Sequence, residues 1–120
     1  MPRKLLSAFK MKKIRTYSKY ATEAVTLLGE RIKLERKRRQ WSETSLAERA
    51  GISRATLQKI ETGEMSCAIG LVFEVATLVG VTLFESDLQP LARNIQHTRE
   101  TLSLMPKRIR TKKEEVDDDF

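Results

Sequence analysis

The sequence contains a single cysteine, Cys67, and a single histidine, His97, among its 120 residues. One cysteine cannot form an internal disulfide, and one imidazole without a second imidazole or thiol nearby does not make a metal site. We interpret Cys67 as a small buried residue and His97 as a surface residue, and we expect no metal or other cofactor. The groupings of catalytic side chains and the glycine-rich phosphate loops typical of small enzymes are also missing, so we predict no enzyme.

Long apolar runs are missing as well. No segment approaches the ~20 apolar residues that a transmembrane helix requires, and lysines interrupt the apolar patches near the N-terminus, unlike the core of a signal peptide. We therefore expect a cytoplasmic protein with one modest domain plus tails. Met11 is an alternative to Met1 as the start of translation.

The formal net charge of +7 is concentrated at one end of the chain. Residues 23–106 carry 11 basic and 11 acidic side chains, and residues 107–120 carry five of each. The whole excess comes from residues 1–22, which have no acid and contain Arg3, Lys4, Lys10, Lys12, Lys13, Arg15 and Lys19. Residues 1–21 are therefore interpreted as a basic arm that either follows DNA phosphates or a minor groove, or is a solvated tail.

The first helical pattern runs from Thr22 to Arg39. Thr22 is a plausible N-cap, and the apolar stripe of this helix contains Val25, Leu28 and Ile32. The same face continues to Arg36, where a charged side chain needs a buried partner or a route to solvent.

Two short helices follow, one from Ser42 to Ala50 and one from Ser53 to about Thr62, with Gly51 between them and Gly63 after them. This helix-turn-helix arrangement lets one helix lie across a DNA groove while the next one enters it. At ~100° per residue, the outer face of the second helix is polar and basic. Such a face is either an ordinary solvated surface or a set of base-contacting side chains, and we predict base contacts from Arg54, Ala55, Gln58 and Lys59.

The segment from Ser66 to Val79 is apolar nearly all round, so it must be covered on two sides. Either a second subunit or the C-terminal helix of the same chain could supply the second cover. Residues 81–84 then predict a short strand that has no evident partner in the sequence, which favours pairing between chains. We predict a homodimer with Phe73, Val81, Leu83 and Phe84 in its interface.

Residues 85–106 are predicted to form an amphipathic helical extension. Ser86 or Asp87 is its expected N-cap, Pro90 lies in its first turn, and its apolar stripe contains Leu88, Leu91, Ile95 and Leu102. Residues 107–120 are interpreted as a charged tail.

A family resemblance covers residues 27–84. The segment LGERIKLERKRRQWSETSLAERAGISRATLQKIETG resembles Cro/CI-type (Xre) helix-turn-helix proteins in its glycine, alanine, leucine and glutamate positions. The resemblance implies an all-α, five-helix, lambda-repressor-like domain at residues 22–84, with the short strand and tail following it. It also implies sequence-specific binding of double-stranded DNA by a dimer on a near-palindromic operator.

The same resemblance assigns individual residues. It implies that Arg36 forms a buried structural ion pair with Glu61. It also places the start of the first short helix against DNA phosphates, and the start of the next helix can meet a phosphate as well. We therefore expect phosphate contacts from Ser42, Ser53 and Thr56. This chain departs from the family at Glu43, where glutamine is usual, because a carboxylate pointing toward a phosphate would repel it.

The helix followed directly by a short strand is similar to HipB-like antitoxins. That similarity implies an autorepressor and antitoxin of a HipA-like kinase toxin, for which residues 88–120 would be either the docking segment or a solubilising tail. The alternatives are a stand-alone or phage-type transcriptional regulator, and a helical module that binds proteins and not DNA.

Overall fold

The computed structural model describes residues 15–84 and 90–111, which fall into two compact units that divide between Leu83 and Phe84. The helices of the described residues are α1 (Lys19–Arg38), α2 (Glu43–Ala50), α3 (Arg54–Glu61) and α4 (Ile69–Leu78) in the first unit, and α5 (Leu91–Ser103) in the second. The predicted all-α class is confirmed. None of these helices is both long and apolar enough to cross a membrane.

The predicted strand at residues 81–84 is wrong for the described part of the chain. Residues 81–83 have no regular secondary structure, and residue 84 is a bend. A β-strand exists only where a neighbouring backbone supplies hydrogen bonds, and none of the described residues supplies them here. The β-branched composition of this segment was therefore insufficient evidence for a strand.

Helix α1 begins earlier than the sequence predicted. Ser18, and not Thr22, is its N-cap, because the Ser18 Oγ accepts a hydrogen bond from the Ala21 backbone nitrogen at 3.1 Å. The Thr22 nitrogen already donates to the Ser18 carbonyl oxygen at 3.0 Å, so Thr22 lies inside the helix. The caps of α2 and α3 lie where the sequence placed them, with Ser42 Oγ accepting from the Ser45 nitrogen and Ser53 Oγ from the Thr56 nitrogen, both at 3.0 Å.

Each helix of the first unit ends in the same way. A residue with a left-handed backbone follows the last turn, and the next amide donates to a carbonyl five residues earlier, which is the Schellman arrangement. Glycine fills this position three times, and the non-glycine case is Gln40, whose φ is +60°. The four closing bonds join Trp41 to Arg36, Ile52 to Ala47, Glu64 to Lys59 and Val81 to Ala76, at 3.1, 3.0, 3.0 and 2.8 Å.

The core of the first unit lies between these four helices. Its fully buried large side chains are Ile32 of α1, Leu46 of α2, Leu57 of α3, and Val75 and Val79 at the end of α4. Among the described residues, helix α4 turns one side into the core, since Val75 and Ala76 are buried whereas Ile69 is 69% exposed. Burial of the apolar side chains of α3 is energetically favourable, so it holds this helix against the core. It also determines which face of α3 remains exposed to solvent.

Helix α1 approaches the end of α3 backbone to backbone at Gly29. A Cβ atom at this position would lie 2.5 Å from the Ile60 carbonyl oxygen and 2.8 Å from that of Glu61. Real side chains do not come this close to backbone atoms, so glycine is required by the approach and not by its own dihedral angles. Two turns further along α1, the same approach brings Arg36 to Glu61.

In the second unit, α5 starts at Leu91 with Pro90 at the N-cap position, and none of its residues is buried. The predicted apolar stripe at Leu91, Ile95 and Leu102 is exposed by 52, 49 and 63%. Ser86, Asp87 and Leu88 lie outside the described residues, as do residues 1–14 of the arm and residues 112–120 of the tail.

Candidate nucleic-acid interface

Helix α3 presents a continuous polar face to solvent. Its apolar residues Leu57 and Ile60 are only 0 and 3% exposed and turn into the core. The four predicted base-contacting residues are all exposed and share the opposite side, namely Arg54, Ala55, Gln58 and Lys59. The structure thus brings these four side chains together on one helix of a helix-turn-helix.

Glu43, the first residue of α2, points at α3. Its Oε1 atom accepts hydrogen bonds from Arg54 Nε at 2.9 Å and from Gln58 Nε2 at 3.0 Å. The hydrogen bond from Gln58 is the largest cause that lowers the pKa of Glu43 below its usual value, and the bond from Arg54 is the next. The carboxylate is therefore ionised at neutral pH. The repulsion of phosphate expected from sequence is therefore replaced by attraction to two side chains of α3.

The bonds to Glu43 leave other polar atoms of its partners unused. Within the described residues, Arg54 donates only through Nε, and Nη1 and Nη2 have no protein acceptor. Gln58 likewise donates one Nε2 hydrogen to Glu43, and its Oε1 accepts from no described residue. Both side chains therefore keep the atoms that can reach a base edge.

The hydroxyls predicted to contact phosphate first satisfy the helix ends. Ser42 caps α2, and Ser53 caps α3 while donating its own hydrogen to Thr56 Oγ1 at 2.9 Å. The hydrogens of Ser42 and Thr56 have no acceptor among the described residues, so these two hydroxyls can still donate to a phosphate oxygen.

The end of α3 is fixed by a buried ion pair. Arg36 donates from Nε to Glu61 Oε2 at 2.7 Å, from Nη2 to Glu61 Oε1 at 3.0 Å, and from Nη1 to the Trp41 carbonyl oxygen at 3.0 Å. Arg36 and Glu61 are each 5% exposed, and their hydrogen bond is the main cause that raises the pKa of Arg36. The Arg49 guanidinium lies over the Trp41 ring at 4.1 Å from its centroid, in a cation–π contact.

Three of the predicted interface residues lie around one surface groove of the first unit. Phe73, Val81 and Leu83 line it together with Leu27 and Leu28 of α1, and its volume is about 250 Å³. Phe84 belongs to the second unit and is 55% exposed. The side chains that line this groove are mainly apolar.

The cysteine and the histidine stand apart from these sites. Cys67 is half-buried and packs against the core, and burial is the first cause that raises the pKa of its thiol. His97 is exposed on α5. Among residues 15–84 and 90–111, no three His, Cys, Asp or Glu side chains come together as a metal site.

Sequence reasoning placed the exposed polar face of α3 correctly but missed the contacts of Glu43. Glu43 lies on α2 whereas Arg54 and Gln58 lie on α3, so the periodicity of a single helix could not point to these contacts. The available signal was charge, because an acid opens the first short helix and an arginine opens the second.

Comparison with known proteins found a family model that matches part of the chain. Residues 32–86 match the family model described as "Helix-turn-helix". No curated protein sequence matches the chain. Solved structures that are similar to it include a HipB–O4 20mer complex, at 22% identity over 64% of this chain and 100% of that chain, with a TM-score of 0.47. Another is a HipA–HipB–O2–O3 complex, with the same four values.

The family match spans α2, the turn at Gly51 and α3 as the structure shows them. It also includes the last two turns of α1 with Arg36, as well as α4. Residues 32–86, just under half of the 120-residue chain, are therefore similar to the helix-turn-helix family.

Proposed function

We propose that this chain is a sequence-specific transcriptional repressor that binds double-stranded DNA as a dimer. The observation that carries the proposal is the exposed face of α3, where Arg54, Ala55, Gln58 and Lys59 project from a helix whose other side is locked into the core. A helix held in this way inserts into the major groove as a rigid body, and its side chains then meet base edges.

Each side chain of this face suits a particular base. The paired terminal nitrogens of Arg54 match guanine O6 and N7, and the amide of Gln58 matches adenine N6 and N7. The methyl group of Ala55 suits the thymine methyl, and Lys59 suits guanine or a phosphate. We propose Ser42, Ser53 and Thr56 as the residues that fix the helix against the phosphate backbone.

Selection from a randomised duplex pool tests DNA reading directly. The chain should enrich a defined sequence and should bind it at least ~10³-fold more tightly than a scrambled duplex at the same salt concentration. Arg54→Ala should cost about 1–3 kcal/mol on the selected duplex and relax the preference at one base pair. Lys33→Ala, which removes an exposed charge from α1, is the matched control and should leave that preference intact.

Failure to enrich any sequence would contradict this function. A chain that binds all duplexes equally, or none, would fit the alternative of a helical module that binds proteins. Binding that depends on salt but not on sequence counts against the proposal as well, because phosphate attraction alone produces it.

The dimer is proposed from the apolar groove around Phe73 and Leu83. Two such subunits would present their α3 helices to half-sites about 34 Å apart, which predicts a near-palindromic selected sequence. Sedimentation at micromolar concentration should give the dimer mass, and Leu83→Asp should give the monomer mass with an unchanged helical circular dichroism spectrum. A concentration-independent monomer for the unaltered chain would contradict the dimer.

The finer assignment is that the repressor is also the antitoxin of a HipA-like kinase and represses its own operon. It rests on the sequence similarity to HipB-like antitoxins, and its rival is a stand-alone or phage-type regulator. Co-expression with a HipA-like kinase from the same genome separates them. The antitoxin assignment predicts that the full chain forms a stable complex with the kinase. A chain of residues 1–90 should not form this complex if the docking segment lies after residue 90. A full chain that leaves the kinase unbound favours the rival.

A further inference from the structure

We infer that Glu43 is a positioning residue that holds Arg54 and Gln58 as one unit for reading two base pairs. The inference rests on the proposed function and adds a determinant of specificity that need not touch DNA. Its basis is the shared acceptor, since Glu43 Oε1 lies 2.9 Å from Arg54 Nε and 3.0 Å from Gln58 Nε2. We call this arrangement of Glu43, Arg54 and Gln58 the carboxylate clamp.

The charge state of Glu43 fixes the direction of both bonds. An ionised carboxylate can only accept hydrogen bonds, so Gln58 must turn its amide nitrogen toward Glu43 and its amide oxygen away. A glutamine at position 43 could donate or accept, and it would permit Gln58 to reverse its amide. Glutamate at position 43 therefore fixes one orientation of the Gln58 amide, whereas glutamine, a neutral side chain of the same shape, would allow two.

The clamp uses donors that base reading does not need. Arg54 contributes Nε and keeps Nη1 and Nη2, the pair that can bind guanine O6 and N7 side by side. Gln58 contributes one Nε2 hydrogen and keeps the second hydrogen and Oε1, the pair that binds adenine N7 and N6. Both side chains can thus contact bases without breaking their bonds to Glu43.

The clamp also favours specific over sequence-independent binding. Arg54 has a side chain that is 64% exposed, and without Glu43 it would be free to sample many rotamers and to approach any phosphate. Holding its side chain reduces the entropy that is lost when a base is bound. The negative charge beside it lowers the general attraction to DNA, which matters because residues 23–106 carry no excess positive charge.

The test compares base preferences in two variants of position 43. Each variant and the unaltered full chain are taken through selection from the same randomised duplex pool. Affinities are then measured for the selected duplex and for a scrambled duplex. Glu43→Ala should lower the preference at the two base pairs read by Arg54 and Gln58 by about 10-fold each. It should also bind the scrambled duplex more tightly, since one negative charge is lost.

Glu43→Gln keeps an acceptor oxygen but has no charge. Compared with Glu43→Ala, it should retain part of the preference at the base pair read by Arg54 and less of the preference at the base pair read by Gln58. Glu48→Gln is the matched control, because it removes an exposed charge from the same helix without a bond to α3. It should tighten scrambled binding in the same way and leave the base preferences unchanged. Thermal unfolding of each variant checks that the fold is retained.

The outcomes separate this inference from the function on which it rests. If the unaltered chain selects a sequence and Glu43→Ala selects it equally well, the clamp is refuted and the proposed function stands. An equal gain of affinity for both duplexes also refutes it, because Glu43 then acts only by repelling phosphates. If the unaltered chain selects nothing, the proposed function and the clamp are both wrong. Where Arg54→Ala has already removed the preference at the base pair that Arg54 reads, adding Glu43→Ala should not change the preference at that base pair any further.

Discussion

Arg36 and Glu61 close a two-point contact in the core, with Arg36 Nε 2.7 Å from Glu61 Oε2 and Arg36 Nη2 3.0 Å from Glu61 Oε1. The pair joins the last turn of α1 to the last residue of α3 across 25 positions of sequence. A third bond, from Nη1 to the Trp41 carbonyl oxygen, engages the remaining guanidinium nitrogen. The end of α3 is thus held to α1 by two buried charges, each belonging to a residue that is 5% exposed.

Removing one of these charges should be strongly destabilising. Glu61→Ala leaves the Arg36 guanidinium buried without its carboxylate, which costs about 3–5 kcal/mol in comparable sites. A domain of this size is stable by roughly 5–15 kcal/mol, so a large fall in melting temperature is expected. Circular dichroism during thermal and urea unfolding measures it.

Two further variants identify the cause. Arg38→Ala breaks an exposed ion pair on the same helix, between Arg38 Nη1 and Glu35 Oε2 at 2.7 Å, and should cost less than about 1 kcal/mol. The double variant Arg36→Met with Glu61→Ala removes both buried charges and should recover part of the lost stability. If Glu61→Ala melts like the unaltered chain, the pair has no structural role.

The close approach at Gly29 gives a second stability prediction. Gly29→Ala places a methyl group 2.5 Å from the Ile60 carbonyl oxygen, and backbone atoms on both sides cannot move away cheaply. We expect a loss of about 1–3 kcal/mol despite the higher helix propensity of alanine. Gly70→Ala is the control, since it lies in α4 with no atom within 4 Å and should gain up to about 1 kcal/mol. Equal effects at the two positions would contradict a packing role for Gly29.

The parts of the fold that local chemistry decides were predictable from the sequence. Ser42, Gly51, Ser53 and Gly63 mark the ends of α2 and α3 because capping and the left-handed turn involve only neighbouring residues. The polar face of α3 followed from helical geometry alone. The partner of Arg36, in contrast, was assigned only through the resemblance, because a contact across 25 residues leaves no local pattern.

The remaining features depend on tertiary contacts. Gly29 reads as an ordinary helix-weakening glycine until α3 is packed against it. Glu43 reads as a repulsive charge until Arg54 and Gln58 are placed around it. The segment at residues 81–84 has the composition of a strand, yet a strand requires a partner that a single chain's sequence does not reveal.

The end of α1 can be improved by one substitution. Gln40 has a φ of +60° at the position where the other three helices of the first unit have glycine. A side chain in this conformation costs about 1 kcal/mol, so Gln40→Gly should raise the free energy of unfolding by about 0.5–1 kcal/mol. Gln40→Ala keeps the strained Cβ and should be nearly neutral or slightly destabilising in the same urea titration. A glycine variant less stable than the alanine variant would contradict the backbone argument.

The lowered pKa of Glu43 fixes the pH range over which its hydrogen bonds persist. The pKa of Glu43 is lower in the folded state than in the unfolded state, so its carboxylate stabilises the fold at every pH above the unfolded-state pKa. This stabilisation is lost only as the pH falls through the folded-state pKa. The discrimination between selected and scrambled duplexes should therefore be the same at pH 8 and at pH 5.5. His97→Gln serves as the control, since it removes the only imidazole. A loss of discrimination at pH 5.5 that survives in His97→Gln would mean that Glu43 protonates in that range.

The basic arm makes the last prediction, which concerns salt. Residues 2–15 contain six basic and no acidic side chains, whereas residues 23–106 are electrically balanced. If the arm binds phosphates, deleting residues 2–15 should reduce the slope of log affinity against log salt by about 0.9 for each phosphate that the arm neutralises. The selected sequence should stay the same if the arm contacts only phosphates, because such contacts carry no sequence information.

A change of the selected sequence after the deletion would instead place the arm in a minor groove, where it can distinguish A·T from G·C pairs. An unchanged slope would show that the arm does not touch DNA, and general attraction to the duplex would then have to come from the few basic residues placed around α3.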